Sequence, residues 1–416
     1  MNEKHHTHHY MNIRTLYCRG LVPSLILSLF NSGATAQIVD LGGPLRPGEA
    51  RPPLFRNLGP FSTSSTAPPY TPQQVRHAYG FDQLTATGAG QTIAIVDAYG
   101  SQSAQKDLNT FCSYFGIAST TLVIAYPQGK PGNNTGWAQE TSLDVQWAHV
   151  IAPNATILLV VAKSSSLNNL LGAVDYAVAH GASVVSMSWG AGESAGITAS
   201  DSHFAASGVT FVASAGDNGE GVEWPAASPN VVSVGGTSLH LDSSGNYSSE
   251  SAWSGSGGGI SLYEAKPSYQ TGWQTPNNTQ GGWSSTRGVP DVSYLADPNT
   301  GVYVVYQGHL YAFGGTSVGA PQWAALVACS NSARTDGKTL GTLNSPANVA
   351  LYTAAQGGTT TSGSYTFYNI NSSDFLDILS GSNGNDSDDF AARSYDLITG
   401  LGSPAAKGLV QALTGY

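Results

Sequence analysis

The chain has 416 residues, of which 16 are Lys or Arg and 26 are Asp or Glu; only 10% are charged and the formal net charge is −10, against about 25% charged residues in an average soluble protein. This length, with 41% hydrophobic residues, allows a large core and excludes intrinsic disorder, and the lack of a basic excess excludes a protein built to meet nucleic-acid phosphates. The surface must be made polar by Ser, Thr, Asn, Gln and Gly, so its charge changes little when carboxylates are protonated, which suits an acidic milieu.

At the N-terminus, Arg14 and Arg19 precede an apolar run over residues 21–30, and Ala34-Thr35-Ala36 has the form of a signal cleavage site. Residues 1–36 are expected to be a leader and signal peptide, with His5, His6, His8 and His9 in the leader rather than on a metal. That run is too short to span a bilayer, and no other stretch reaches about 18 apolar residues. A secreted protein without a membrane anchor is expected, acting as a monomer. Residues 37–69 are rich in Pro, Ser, Thr and Gly and read as a short propeptide or linker, and the domain as residues 70–416.

Within that domain, residues 92–96 form a nearly continuous apolar run, the pattern of a buried strand. Residues 138–151 repeat apolar side chains at spacing four through Leu143, Trp147 and Ile151, and Pro153 follows, which predicts a helix. A strand over 155–161, a helix over 167–180 ending at Gly181, and strands over 183–188, 209–214 and 231–234 come next. Strands with continuous apolar cores alternating with helices predict an α/β fold, a mainly parallel sheet covered on both faces. Residues 244–290 read as loop, and a last helix is expected over 318–328. Cys18 lies in the leader; Cys112 and Cys329 either form one disulfide or stay as two buried thiols.

Gly314-Gly315-Thr316-Ser317-Val318-Gly319-Ala320-Pro321 sets a Ser before a helix, where free N–H groups and positive potential meet a developing oxyanion. The same pattern fits a Ser N-cap. No His lies in a context suited to activate Ser317. Glu140 and Asp144, four apart, project from one helix face. If buried, they share one proton, and such a pair acts as a general base only in acid; otherwise they are a solvated acidic face. Asp217, in Ser214-Ala215-Gly216-Asp217-Asn218-Gly219, follows a strand at the carboxyl end of a parallel sheet, where sites form; it is either a turn Asp or a protonated acid donating to an oxyanion. Asp377-Ile378 and Asp396 supply carboxylates and carbonyls of the type Ca²⁺ prefers, or ordinary turn acids.

Together these segments resemble the sedolisins, the serine-carboxyl peptidases, over residues 70–416. The likeness rests on Trp137-Ala138-Gln139-Glu140-Thr141-Ser142-Leu143-Asp144, Ser186-Met187-Ser188-Trp189-Gly190, Ser214-Ala215-Gly216-Asp217, Pro225-Ala226-Ala227-Ser228-Pro229 with Val234-Gly235-Gly236-Thr237, and Gly315-Thr316-Ser317 with Ala320-Pro321, in family order. The resemblance implies a subtilisin-like fold and a secreted, acid-active endopeptidase on protein or peptide substrates. It implies Ser317 as nucleophile, Glu140 as general base, Asp144 orienting Glu140, and Asp217 stabilising the oxyanion. It also implies one structural Ca²⁺, held by Asp377, Ile378, Ala392, Ser394 and Asp396, although the family usually has Gly at the positions of Ala392 and Ser394. Two departures stand out. The stretch between signal and domain is shorter than the family's prodomain, and Asp97 ends the first strand where subtilisins place a triad Asp. A supporting role is expected for Asp97. The alternatives are a subtilisin-like hydrolase using Asp97 and a His, and a non-catalytic secreted binding protein on the same scaffold.

Overall fold

The computed structural model describes residues 38–43, 46–57, 68–273, 285–341, 347–362 and 365–415. The expected leader and signal over residues 1–36 lies outside the described residues, as does Cys18.

An eight-stranded sheet organises the domain. From one edge its order is Tyr247–Ala252, Val231–Leu241, Thr210–Ser214, Val184–Met187, Thr92–Ala98, Thr156–Ala162 and Val123–Ala125, with Val292–Leu295 also paired to Val231–Leu241. The Tyr247–Ala252 edge is antiparallel and the other pairings are parallel. In Thr92–Ala98, Ile93 and Ile95 enter one core cluster while Ala94, Val96 and Ala98 enter another. Thr156–Ala162 alternates in the same way. Side chains on a strand point to opposite faces in turn, so burial of both faces produces the continuous apolar runs seen in the sequence.

The helices Ala104–Phe115, Thr135–Ile151 and Gly319–Ala333 share the first cluster, and Leu167–Ala179 packs into the second. This is the three-layer α/β arrangement expected. Two helices on one face position the candidate site: Thr135–Ile151 carries the acidic pair, and Gly319–Ala333 begins just after Ser317.

Three expectations need correction. Residues 244–290 contain the paired strands Tyr247–Ala252, Gly259–Ala265 and Thr286–Val289; their Gly and Ser content hides an alternation that cross-strand pairing enforces. The Val231–Leu241 strand runs well past residue 234, since Gly235 and Gly236 permit close packing against Pro290, Trp253 and Ala296. The helix expected as the last, over 318–328, runs Gly319–Ala333 after a single tight turn over Thr316–Val318, and two more follow it, Ala347–Ala354 and Ala406–Thr414. Cys112 and Cys329 are buried free thiols, which decides the open question of their pairing. Residues 38–57, which carry no apolar period, pair with the domain: Phe55–Asn57 joins Ile38–Asp40 on one side and His309–Gly314 on the other.

Candidate active site

The acidic helix is capped by Asn134, whose side chain accepts the Trp137 N–H at 3.2 Å. Wedged between the sheet and the Gly319–Ala333 helix, it is buried almost throughout. Glu140 and Asp144 lie one turn apart and are both fully buried, so the solvated-face alternative does not apply. Ser188 Oγ donates to Asp144 Oδ1 at 2.9 Å. The other Asp144 oxygen and both Glu140 oxygens have no hydrogen-bond partner among the described residues. Burial, then the neighbouring Asp144 and Asp97 charges, pushes the Glu140 carboxyl well above the usual range. Burial and then Asp97 do the same for Asp144.

Asp97, one residue before the end of its strand, is fully buried with neither oxygen partnered among the described residues, and burial raises its carboxyl to about 7. Three carboxyls thus share one dry compartment. Three charges cannot coexist there, so protons are distributed among them and titrate together. The position of Asp97 at the carboxyl end of a parallel strand was the signal for this; its coupling to Glu140 and Asp144 was not legible without the fold.

Ser317 sits in the turn Thr316–Val318 and is fully buried. Gly315 makes this turn possible: its φ is +114°, and a Cβ there would lie 2.3 Å from Pro53 O and 2.4 Å from Asp217 Oδ2. The Ser317 hydroxyl stands close enough to Glu140 to favour its ionised form, yet Ser317 Oγ closes no hydrogen bond among the described residues. Catalytic contacts are often long without substrate and tighten when it binds.

Asp217 lies beside this turn. The Thr316 N–H and the Thr316 hydroxyl both donate to Asp217 Oδ1 at 2.8 Å, and Asp217 Oδ2 has no partner among the described residues. Burial raises the Asp217 carboxyl well above the usual range against the lowering effect of Thr316. A protonated Asp217 therefore has a free oxygen from which to donate. Thr316 is the residue that sequence reasoning missed, although its place next to Ser317 was visible.

The histidines stand elsewhere. His149 contacts Ala118 O at 2.6 Å, His77 contacts Asp82, His180 contacts Tyr176 O and His203 contacts Asp175, while His240 and His309 are exposed. Among the described residues no His is partnered with Asp97 or Ser317, so a subtilisin-like triad of Asp97 and a His does not form there.

The C-terminal oxygens converge on one loop. The Ser394 N–H donates to Asp377 Oδ2 at 3.1 Å and the Ala392 N–H to Asp396 Oδ2 at 3.2 Å. Burial raises Asp377 to about 6 and Asp396 to about 7, so both would gain from a nearby cation. Among the described residues no group donates to the carbonyl oxygens of Ile378, Ala392 or Ser394. Ser394 has φ +75°, a glycine-favouring conformation, so it keeps the loop shape despite its side chain. Carboxylates and free carbonyls of this kind fit a hard divalent cation.

The subtilase family model matches residues 102–366, more than half of the chain. Kumamolisin of Bacillus sp. (strain MN-32) is 35% identical over 389 residues, covering 85% of this chain and 65% of its own length. The solved structure of Pseudomonas sedolisin, a serine-carboxyl proteinase complexed with two molecules of pseudo-iodotyrostatin, superposes with TM-score 0.68 at 29% identity, covering 83% of this chain and 98% of the other. The chain belongs to the subtilase family, on its sedolisin branch. Sedolisin of Pseudomonas sp. (strain 101) is 32% identical over 290 residues, 60% of this chain and 48% of that relative. This sedolisin-branch chain thus spans about half to two thirds of the length of the curated relatives it matches.

Proposed function

We propose that the protein is a secreted, acid-active serine-carboxyl endopeptidase that cleaves peptide bonds through an acyl-enzyme on Ser317. The observation that carries this reading is the buried meeting of Ser317 with Glu140 and Asp144 on one side and Asp217 on the other. Ser317 Oγ attacks the peptide carbonyl carbon while its proton passes to Glu140. The carbonyl oxygen becomes an oxyanion and accepts hydrogen bonds from protonated Asp217 and the Ser317 N–H. Collapse breaks the C–N bond, and the leaving amine takes the proton from Glu140. Water then repeats the attack on the ester, with Glu140 again taking and returning a proton, and frees Ser317.

Asp144, oriented by Ser188, holds Glu140 and shares its proton. The reaction needs Glu140 ionised and Asp217 protonated. These demands conflict unless the two carboxyls sit in different surroundings, as they do. Rising pH removes the Asp217 proton and falling pH fills Glu140, so the rate is bell-shaped and fails at alkaline pH. A profile of kcat/KM on a quenched-fluorescent peptide tests this; activity that keeps rising to pH 8 would refute it. A binding protein on the same scaffold has no use for three uncompensated buried carboxyls beside a Ser.

Asp377 and Asp396, with the carbonyls of Ile378, Ala392 and Ser394, are read as the holders of one Ca²⁺, which when bound would neutralise both carboxylates. The signal-like N-terminus supports export, and among the described residues no helix is long and apolar enough to cross a membrane.

A further inference from the structure

Both chain neighbours of Asp217 touch a second buried carboxyl, that of Glu223. The chain turns after Asp217 and returns as the short strand Glu223–Trp224, paired antiparallel with Ala191–Gly192. Asn218 donates through Nδ2 to Glu223 Oε1 at 2.9 Å. Gly216 packs so closely that a Cβ there would lie 2.9 Å from Glu223 Cδ and 3.2 Å from each carboxyl oxygen. A Cβ on Gly190 would collide with Glu223 Oε2. Two glycines thus make room for this carboxyl beside Asp217. Glu223 is only 6% exposed, and its Oε2 has no partner among the described residues.

The two acids are not equivalent. Arg51 Nη2 stands 3.9 Å from Glu223 Oε1, and with the Asn218 amide it favours the Glu223 charge against the cost of burial. The donors to Asp217 are neutral, both from Thr316 and both on Oδ1. Burial acts most strongly on Asp217 and the Thr316 donors oppose it; of the charged groups, Glu223 favours its proton and Arg51 opposes it. As pH rises, Glu223 gives up its proton first. A second charge beside it in a dry site is then disfavoured, so Asp217 stays neutral. The retained proton belongs on Oδ2, because Oδ1 already accepts two hydrogen bonds. The charges that act on Glu140 are others, Asp144 and Asp97.

We propose that Glu223 is a positioning residue for the oxyanion step: its carboxylate, set beside Asp217, keeps a proton on Asp217 Oδ2 and so extends the working range of the enzyme toward higher pH. The proposal rests on the reading of Asp217 as the oxyanion donor. Glu223 itself takes and gives no proton in the reaction. It makes one of two neighbouring acids the charged one and leaves the other as the donor.

The test labels the aspartates of the full chain with ¹³C at Cγ and follows the Asp217 resonance, assigned by its loss in Asp217→Asn, as pH is raised. Glu223→Gln keeps an acceptor for Asn218 and removes the charge. Its Asp217 midpoint is expected to fall by about one pH unit or more. The alkaline limb of kcat/KM should fall with it, while the acid limb, set by Glu140, stays. Glu223→Asp keeps a charge and should retain most of the parent midpoint. A merely structural Glu223 would lower the rate at every pH and leave both limbs in place. An unmoved or raised Asp217 midpoint in Glu223→Gln overturns the proposal. If that variant does not fold, Glu223→Met, also neutral and of similar length, gives the same comparison. The resonance needs no turnover, so a chain without peptidase activity would refute the function proposed above and still decide the part played by Glu223.

Discussion

Thr316 grips one oxygen of Asp217 with both its N–H and its hydroxyl, at 2.8 Å each, and the other oxygen has no partner among the described residues. That asymmetry is what a carboxyl needs if it is to donate. One oxygen is fixed as an acceptor and the other carries the proton. Asp217→Ala is expected to lower kcat by about 10²–10³, and Asp217→Asn by less, because an amide N–H can still donate. Steady-state kinetics of the two variants at the pH optimum check the order.

Thr316→Val removes one of the two Thr316 groups that hold the Asp217 carboxyl down. Its proton is then kept to higher pH, and the alkaline limb of the rate profile moves upward. An unmoved limb would mean that another group sets it.

Glu140→Gln keeps the shape of the side chain and removes the base. A loss of about 10²–10⁴ in kcat is expected. Stability moves differently. Glu140 has a folded-state pKa raised by burial and by Asp144 and Asp97, so its ionisation opposes folding as pH rises. The variant should therefore lose less Tm between pH 4 and pH 8 than the parent chain, read by calorimetry on both proteins.

The same sign applies to several other buried carboxyls. Burial raises Asp97 to about 7 and, for Glu264, burial with Asp201 gives about 8; Glu250 and Asp217 are raised as well, chiefly by burial. Carboxyls that bind protons more tightly when folded stabilise fully below their unfolded values near 4, and this stability is lost as pH rises through the folded values. Tm is expected to be highest near pH 4 and to fall steadily toward pH 8. A Tm that rises over that window would contradict this.

For calcium, added Ca²⁺ should raise Tm at pH 7, where Asp377 and Asp396 can ionise, and do little at pH 3. Asp377→Asn should remove most of the gain, and a chelator should reverse it in the parent. No Ca²⁺-dependent shift at any pH would remove the ion from the account.

The sequence was legible wherever burial left a compositional mark. Thr92–Ala98 is buried on both faces and therefore reads as one apolar run. Glu140 and Asp144 stood out because two acids lay in an otherwise uncharged helix. The pairing of residues 48–51 left no such mark. Its contacts are backbone hydrogen bonds from Ala50 and Arg51 to Ser165 and Gly190, which any residue other than proline can make. Nor did the shared compartment of Asp97, which joins residues more than forty apart along the chain. Uncharged polar residues carry much of the surface, while Asp97, Glu140 and Asp144 are buried together where they can exchange protons.

The most direct test of the central claim is chemical capture at Ser317. An acid-stable peptide aldehyde, incubated with the protein at about pH 4 and followed by native mass spectrometry at that pH, should add the mass of one inhibitor as a hemiacetal on Ser317. The adduct should be absent in Ser317→Ala and weak in Glu140→Gln. Peptide cleavage at pH 4 that persists in Ser317→Ala, with no adduct in the parent chain, would contradict the account.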